Sequence, residues 1–396
     1  MSVVPDEPAS GAVALKASPS VSVIIPTYNR VNYIAQAIDS VRGQTFTDHE
    51  IIVVDDGSTD DTDAVVRGYG GAVRYVRTTH GGVARARNVG MEHSRGQFLT
   101  FLDSDDLLYP DALALQVALL RRFPNAGLTC AEMSGFDDRG FFERYHLKAY
   151  HHSAYRDPSV TFGRIFQSSM PLAEAVAVSN AERSDDPTLG DRRVYLGNVF
   201  DTYLLNLVLC QNSVMLRRSV VDAVGKRRER VKHWQEVDYL LSITRRHAVC
   251  FADVPTYKLR YHDGQVSTTA GPNGAEVWMR KQQGLLRVVK RHALADRDYY
   301  RSHRHQIDRH LAHLHRALAV PMLLYRGTAS KGQRYLRYAR RHLRRCAAYG
   351  HPARMLQLAI ASPEPMRRLL VSTVETARQA SWRMRAWRSP SAAVLS

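Results

Sequence analysis

Residues 21–56 read VSVIIPTYNRVNYIAQAIDSVRGQTFTDHEIIVVDD, and the fold class follows from them. Val21-Ser22-Val23-Ile24-Ile25 is a β-branched run that stops at Pro26, and Ile51-Ile52-Val53-Val54 is a second that stops at Asp55-Asp56-Gly57. Between them Ile34, Ala37, Ile38 and Val41 recur at helical spacing, so the stretch predicts strand, helix, strand. Working outward, Val73 to Val76 and Phe98 to Leu102 predict two further strands, with a helix from Val83 to Glu92 before the last. The order β-α-β-α-β-α-β predicts an α/β fold with a parallel sheet and helices on both faces. All of these strands but the third end in polar residues, and open parallel sheets bind ligands at the carboxyl ends of their strands.

After Pro110 the pattern loosens. A strand-like Gly127 to Met133 is followed by a polar and aromatic stretch to about Leu196, a helix-like Val199 to Cys210, and a strand-like Ser213 to Leu216. This half, residues 126–273, is expected to hold the acceptor, with pocket residues drawn from Phe136 to Asn198. Residues 1–19, rich in Pro, Ser, Ala and Gly, predict a flexible tail. From residue 274 onward apolar residues return at helical spacing, as at Ile307, Leu311, Leu314 and Leu318, and Ser362-Pro363-Glu364 has the form of a helix start.

The 396 residues are 44% apolar and 23% charged, which excludes a collagen, a disulfide-dense scaffold and a wholly disordered chain. Apolar stretches such as Ala317 to Tyr325 fall well short of the ~18 residues a membrane span needs, so no transmembrane helix is expected. The N-terminus has acids between prolines instead of a basic segment and an apolar run, and the expectation is a cytoplasmic protein. Cys130, Cys210, Cys250 and Cys346 lie far apart, which predicts buried thiols, not disulfides or a zinc site.

The net charge of +17 is unevenly divided: residues 275–396 hold 25 Lys/Arg against 6 Asp/Glu, and the remainder 30 against 32. The basic extension therefore has a role separable from the first part. Its readings are a helical subdomain packed on the rest with a solvated Arg/His face, or a peripheral anchor on an anionic membrane surface, for which Trp382 and Trp387 are suited. Nucleic-acid binding ranks last, since no nucleic-acid module accompanies the charge.

The first strand has Pro26-Thr27-Tyr28-Asn29-Arg30 where a dinucleotide-binding turn needs glycines, and the chain has no P-loop. The loops offer carboxylates instead: Asp55-Asp56, and Asp103-Ser104-Asp105-Asp106 after the fourth strand. Such residues repel a diphosphate unless a divalent cation lies between, so Mg²⁺ or Mn²⁺ with a diphosphate substrate is expected. Asp55-Asp56-Gly57-Ser58 is equally what a turn and helix N-cap require.

Four stretches, VSVIIPTYNR (21–30), IIVVDDGSTDDT (51–62), GGVARARNVG (81–90) and FLTFLDSDD (98–106), resemble the successive motifs of glycosyltransferase family 2. The resemblance implies a GT-A fold, a mixed, mainly parallel sheet flanked by helices, over residues 20–273, with the nucleotide half at about 20–125, and inverting transfer from a nucleotide-diphosphate sugar. It implies that Pro26, Tyr28 and Asp56 meet the nucleotide base and its surroundings. Gly82 and Arg85 would lie near the donor, Asp103 would meet ribose or sugar hydroxyls, and Asp105, helped by Asp106, would bind the metal. His233 to Leu241 resembles the family's Glu-Asp pair before a helix; here the base falls on Glu236 and its preceding Glu is replaced by Gln235, with Asp238 as the alternative base. Arg260 to Ser267 resembles the segment whose histidine, here His262, closes over the diphosphate and can ligate the metal. The acceptor is expected to be a glycan, a lipid-linked glycan or a small molecule. The alternative is a non-catalytic protein of the same fold that binds membrane or polyanions through its basic extension; a nucleotidyltransferase is the weaker third reading, for want of a glycine-rich loop after the first strand.

Overall fold

The computed structural model describes residues 18–147, 160–176, 189–262, 274–324 and 329–345. Most of the N-terminal tail, Asp263 to Ser267, Cys346, the helix start at Ser362, the tryptophans 382 and 387, and much of the Phe136–Asn198 stretch lie outside these residues.

The first half is β1 (Val21–Thr27), α1 (Ile34–Arg42), β2 (His49–Asp55), α2 (Thr62–Arg67), β3 (Arg74–Arg77), α3 (Val83–His93) and β4 (Phe98–Phe101), in the expected alternation. The strands are parallel and lie in the order β3-β2-β1-β4. Every residue of β1 is buried, because strands flank it and helices cover it. β1 continues past Pro26, where the sequence predicts an end. Its ladder to β4 stops at Ile24 opposite Phe101, so Pro26 lies where only β2 is paired, and a missing N–H is tolerated. The helical repeat Ile34, Ala37, Ile38 and Val41 is the buried stripe of α1. α3 lies so close to β1 that a Cβ at Gly90 would come 2.3 Å from Cγ2 of Ile24.

The second half adds β5 (Leu107–Leu108), α4 (Ala112–Arg122), β6 (Ala126–Asp137), β7 (Gly140–Glu143), β8 (Ser168–Pro171), β9 (Arg193–Gly197), α5 (Phe200–Asn206), β10 (Met215–Arg217), α6 (Arg218–Val224), α7 (Gln235–Thr244) and β11 (Ala248–Arg260). The single mixed sheet runs β3-β2-β1-β4-β10-β6-β11-β9-β8, and its longest ladders, β1 with β2 and β6 with β11, are parallel. Short β10 is antiparallel to both β4 and β6 and joins the two halves. α5 is shorter than the periodicity predicts, because Leu207 takes a left-handed conformation (φ 51°) that ends it.

One pairing builds the site. β5 runs antiparallel to β11, with Leu108 opposite Tyr257, and so brings the loop Asp103–Asp106 beside the carboxyl end of β11. The Arg260 N–H clamps the junction by donating to Oδ1 of Asp106 at 2.7 Å.

The described residues of the extension form α8 (Gly274–Leu294), α9 (Arg297–Ser302), α10 (Arg304–Leu324) and α11 (Ala329–Arg345). Ile307, Leu311, Leu314 and Leu318 are buried, in one continuous core with the sheet residues. Nε1 of Trp234, just before α7, donates to the Lys281 carbonyl of α8 at 2.8 Å. The described helices therefore pack onto the α/β domain. None of them is long and apolar enough to cross a membrane. Cys130, Cys210 and Cys250 are free and buried, and burial raises their thiol pKa values.

Candidate active site

After β2 the two aspartates part ways. Asp55 is fully buried: Oδ1 accepts from the Ser58 N–H at 2.7 Å and Oδ2 from the Tyr75 hydroxyl at 2.6 Å. It does the work of a turn cap, as the residue types alone allowed. Gly57, with φ +84°, makes that turn, and a Cβ on it would meet the His80 nitrogen at 3.0 Å. Asp56 grips the loop before α3, accepting from the N–H groups of Gly81 (2.8 Å) and Gly82 (2.7 Å), with His80 Nδ1 at 3.0 Å. Above it the ring of Tyr28, 40% exposed, lies 4.3 Å from that of His80. Arg85 is turned back onto Thr79 through hydrogen bonds of 3.1 and 3.2 Å. Tyr28, Asp56, Gly82 and Arg85 thus border one region, with an accessible aromatic face and a carboxylate that organises the loop, while Pro26 is buried in β1 two residues before Tyr28.

The three aspartates after β4 have three different surroundings. Asp103 accepts from Arg87 at 2.6 Å and from Asn212 Nδ2 at 3.1 Å, and its side chain remains a third exposed. Asp105 faces Arg30 at 3.3 Å and His262 Nε2 at 3.2 Å, all on Oδ2. Asp106 is turned into the fold, taking the Tyr257 hydroxyl on Oδ2 at 2.7 Å and the Arg260 N–H on Oδ1. Burial, with Asp105 and Asp103 beside it, pushes its carboxyl well above the usual range. It was expected beside Asp105 on a metal; both its oxygens are instead occupied in joining β5 to β11.

Among the described residues no group of three or more His, Cys, Asp or Glu is arranged to hold a metal. Asp105 and His262 offer two ligands, a number suited to a divalent cation that completes its shell with substrate phosphate oxygens. Arg30, on the same oxygen, is the positive charge that a cation would share or replace.

Glu236 stands in the first turn of α7, half-buried. Nε2 of Gln235 donates to its Oε2 at 3.0 Å, and Oε1 makes no hydrogen bond among the described residues. Gln235 is held in turn by Arg227, whose Nη1 donates to Oε1 of Gln235 at 3.2 Å and of Gln211 at 2.5 Å. Arg227 is buried between the rings of Phe101 and Tyr239, at 4.5 and 4.4 Å. Burial, with Arg87 nearby, lowers its pKa to about 9, still cationic at neutral pH. The departure from the usual acidic pair thus has a structural counterpart: an amide both accepts from Arg227 and donates to Glu236, which a carboxylate cannot do.

Asp238, the alternative base, is 1% exposed and takes Arg228 (2.9 Å), Arg291 (2.9 Å) and His292 (3.0 Å). Burial alone would raise its pKa, but hydrogen bonds from His292, Arg228 and Arg291 hold it well below the usual carboxylate range. A carboxylate so stabilised is a poor proton acceptor, and it fastens α7 to α8.

Residues 22–174 match the family described as Glycosyl transferase family 2. The chain carries a glycosyl transferase family 2 domain. It is 41% identical over 108 residues to the uncharacterized glycosyltransferase RP339 of Rickettsia prowazekii, covering 27% of this chain and 34% of that protein. It is 42% identical over 100 residues to a chondroitin synthase of Pasteurella multocida, covering 24% of this chain and 10% of that one. The chain thus spans only about a third, or less, of the length of these curated relatives. The crystal structure of S. aureus TarS 1-349 superposes with a TM-score of 0.56 at 19% identity, over 90% of this chain and 92% of that one. The GT-A fold that the motifs imply is therefore the fold observed, in the family 2 domain and beyond it.

Several residues of the site escaped the sequence reading. Arg87 was passed over for Arg85 in the same motif, although it is Arg87 that shares the buried face of α3 with Ala84, Asn88 and Met91; the helical phase alone would have marked it. Arg30, Asn212, Arg227 and Tyr257 come from separate loops and strands, and no local pattern links them to Asp103 or Asp105.

Proposed function

We propose that the chain is an inverting glycosyltransferase that moves a sugar from a nucleotide-diphosphate sugar to an acceptor hydroxyl, with residues 20–273 as its catalytic part. The observation that carries this reading is the approach of His262 to Asp105 at the carboxyl ends of the strands, in a chain with a family 2 domain. The likeness to a chondroitin synthase supports a glycan, lipid-linked glycan or related small molecule as acceptor.

In this mechanism the exposed face of Tyr28 stacks on the nucleotide base, with the loop held by Asp56 and Gly82 beside it. Arg85 lies at the same rim. Asp103, oriented by Arg87 and Asn212, accepts hydrogen bonds from ribose or sugar hydroxyls. Asp105 and His262 would hold Mg²⁺ or Mn²⁺, which supplies charge neutralisation for the departing diphosphate. Arg30 adds a fixed positive charge there. Oε1 of Glu236 takes the acceptor proton as the hydroxyl attacks the anomeric carbon, while Gln235 fixes the other oxygen. Asp106 and Asp238 position the elements and touch no substrate.

The deciding experiment is Glu236→Gln, which keeps the shape and removes the base. Transfer should fall by about 10²–10⁴-fold, with nucleotide-diphosphate affinity in the presence of Mn²⁺ unchanged. Wild-type turnover in this variant would overturn the assignment.

A further inference from the structure

The side of α7 that carries Asp238 opens onto a cavity of about 420 Å³, walled by the end of α6, by α7 and by the last turn of α8. Lys226, Arg228, Arg245, Arg246 and Arg291 line it, and among the described residues Asp238 is the only carboxylate in its wall. We propose that this cavity is a binding site for a phosphate-bearing anion, distinct from the donor site.

The charge count motivates the assignment. Asp238 already accepts from Arg228, Arg291 and His292, so it offsets one positive charge of the five. Lys226 pairs at 2.5 Å with Glu92, and Arg245 donates to the His292 carbonyl and lies over Phe200. Arg246 has no side-chain partner among the described residues. An excess of positive charge around one concave surface draws anions into it.

Geometry selects the class of anion. Arg228 and Arg291 each bond Asp238 through Nη1, and their side chains remain 51% and 42% exposed. Asp238 holds both guanidinium groups in place with most of their donors unspent, a preformed pair of planar forks of the kind that matches phosphate oxygens. The ammonium of Lys226 and the guanidinium of Arg246 belong to the same lining. The site borrows nothing from Asp103, Asp105 or His262, and so needs no divalent cation.

The phosphate can belong to a soluble diphosphate or to a lipid headgroup, and the experiment separates them. The full chain is titrated with pyrophosphate in the presence of EDTA, as wild type, Arg246→Ser and Arg228→Ser/Arg246→Ser, with folding checked by circular dichroism. Wild type should bind, and the folded variants about tenfold or more weakly, as loss of charge-assisted contacts implies. If the double variant does not fold, Arg246→Ser alone decides. No binding by wild type, or equal binding by wild type and variants, would overturn the proposal. A parallel arm uses phosphatidylcholine vesicles with and without phosphatidic acid. Vesicle binding that pyrophosphate displaces and Arg246→Ser weakens identifies a headgroup; vesicle binding insensitive to the substitution, with pyrophosphate binding lost in the variants, identifies a soluble anion.

Discussion

Nε2 of His262 lies 3.2 Å from Oδ2 of Asp105, although 157 residues separate them. The approach is imposed by the short antiparallel pairing of β5 with β11, sealed by the Arg260 N–H on Asp106. Replacing His262 with Ala should therefore weaken Mn²⁺-dependent binding of a nucleotide diphosphate by roughly tenfold or more, while metal-free stability changes little. Thermal denaturation with and without Mn²⁺ reads both quantities, and an undiminished metal effect would remove His262 from the site.

Gln235 links Arg227 to Glu236, and its replacement by Ala should leave Glu236 free to turn away. A loss of about tenfold in kcat with KM for the donor unchanged is the expected pattern, since only the transition state uses the aligned carboxylate. A rise in KM alone would mean that Gln235 serves donor binding.

Asp238 predicts an acid-labile junction between α7 and α8. Its folded-state pKa is depressed, so its contribution is present above the unfolded value and is lost as pH falls below about 4 towards the folded value. Asp238→Asn should destabilise the protein by roughly 2–3 kcal/mol at neutral pH, less than a fully buried pair because Arg228 and Arg291 are half in solvent. Urea unfolding at pH 7 and at about pH 2.5 should show the gap between wild type and variant narrowing in acid.

His315 on α10 is 1% exposed, and neither ring nitrogen has a hydrogen-bond partner among the described residues. Burial, with Lys290 and His342 nearby, lowers its pKa to about 3. The unfolded chain takes up a proton there near pH 6.5, so this residue removes stability as pH falls below that value, by up to about 1.4 kcal/mol per pH unit. His315→Leu should leave the denaturation midpoint at pH 7.5 close to that of wild type and raise it at pH 5. An unaltered pH dependence would show that this imidazole is solvated.

At Gly90 even one methyl group has no room against Ile24. Gly90→Ala should cost about 1–3 kcal/mol by forcing α3 away from β1, visible as a lower melting temperature. The shift would also carry Arg87 away from Asp103.

Much of this protein was legible one segment at a time. The alternation of strands and helices up to Phe101 follows from local periodicity, because each element there buries one continuous stripe or run. Tyr28, Asp56, Asp103 and Asp105 fall at strand ends, where ligands of such sheets bind, and the four motifs marked them. Irregular residues between Asp137 and Asn198 resisted, since short β8 and β9 are strands only by virtue of their neighbours.

Tertiary structure alone decided what each charged side chain meets. Sequence by itself determined the α/β order, the carboxylate-rich loops and the basic helical extension, all set by composition and spacing within a few residues. The motif resemblance favours Asp56, Asp105 and Glu236, but residue type and spacing alone do not separate Asp55 from Asp56, Asp105 from Asp106, or Glu236 from Asp238, because neighbouring residues of one chemical type differ only in what the rest of the chain brings against them. Tyr257 and Arg260 take Asp106 inward, Arg30 and His262 meet Asp105, and α8 supplies the cations that hold Asp238. Those partners lie tens to more than a hundred residues away, and only packing chooses them.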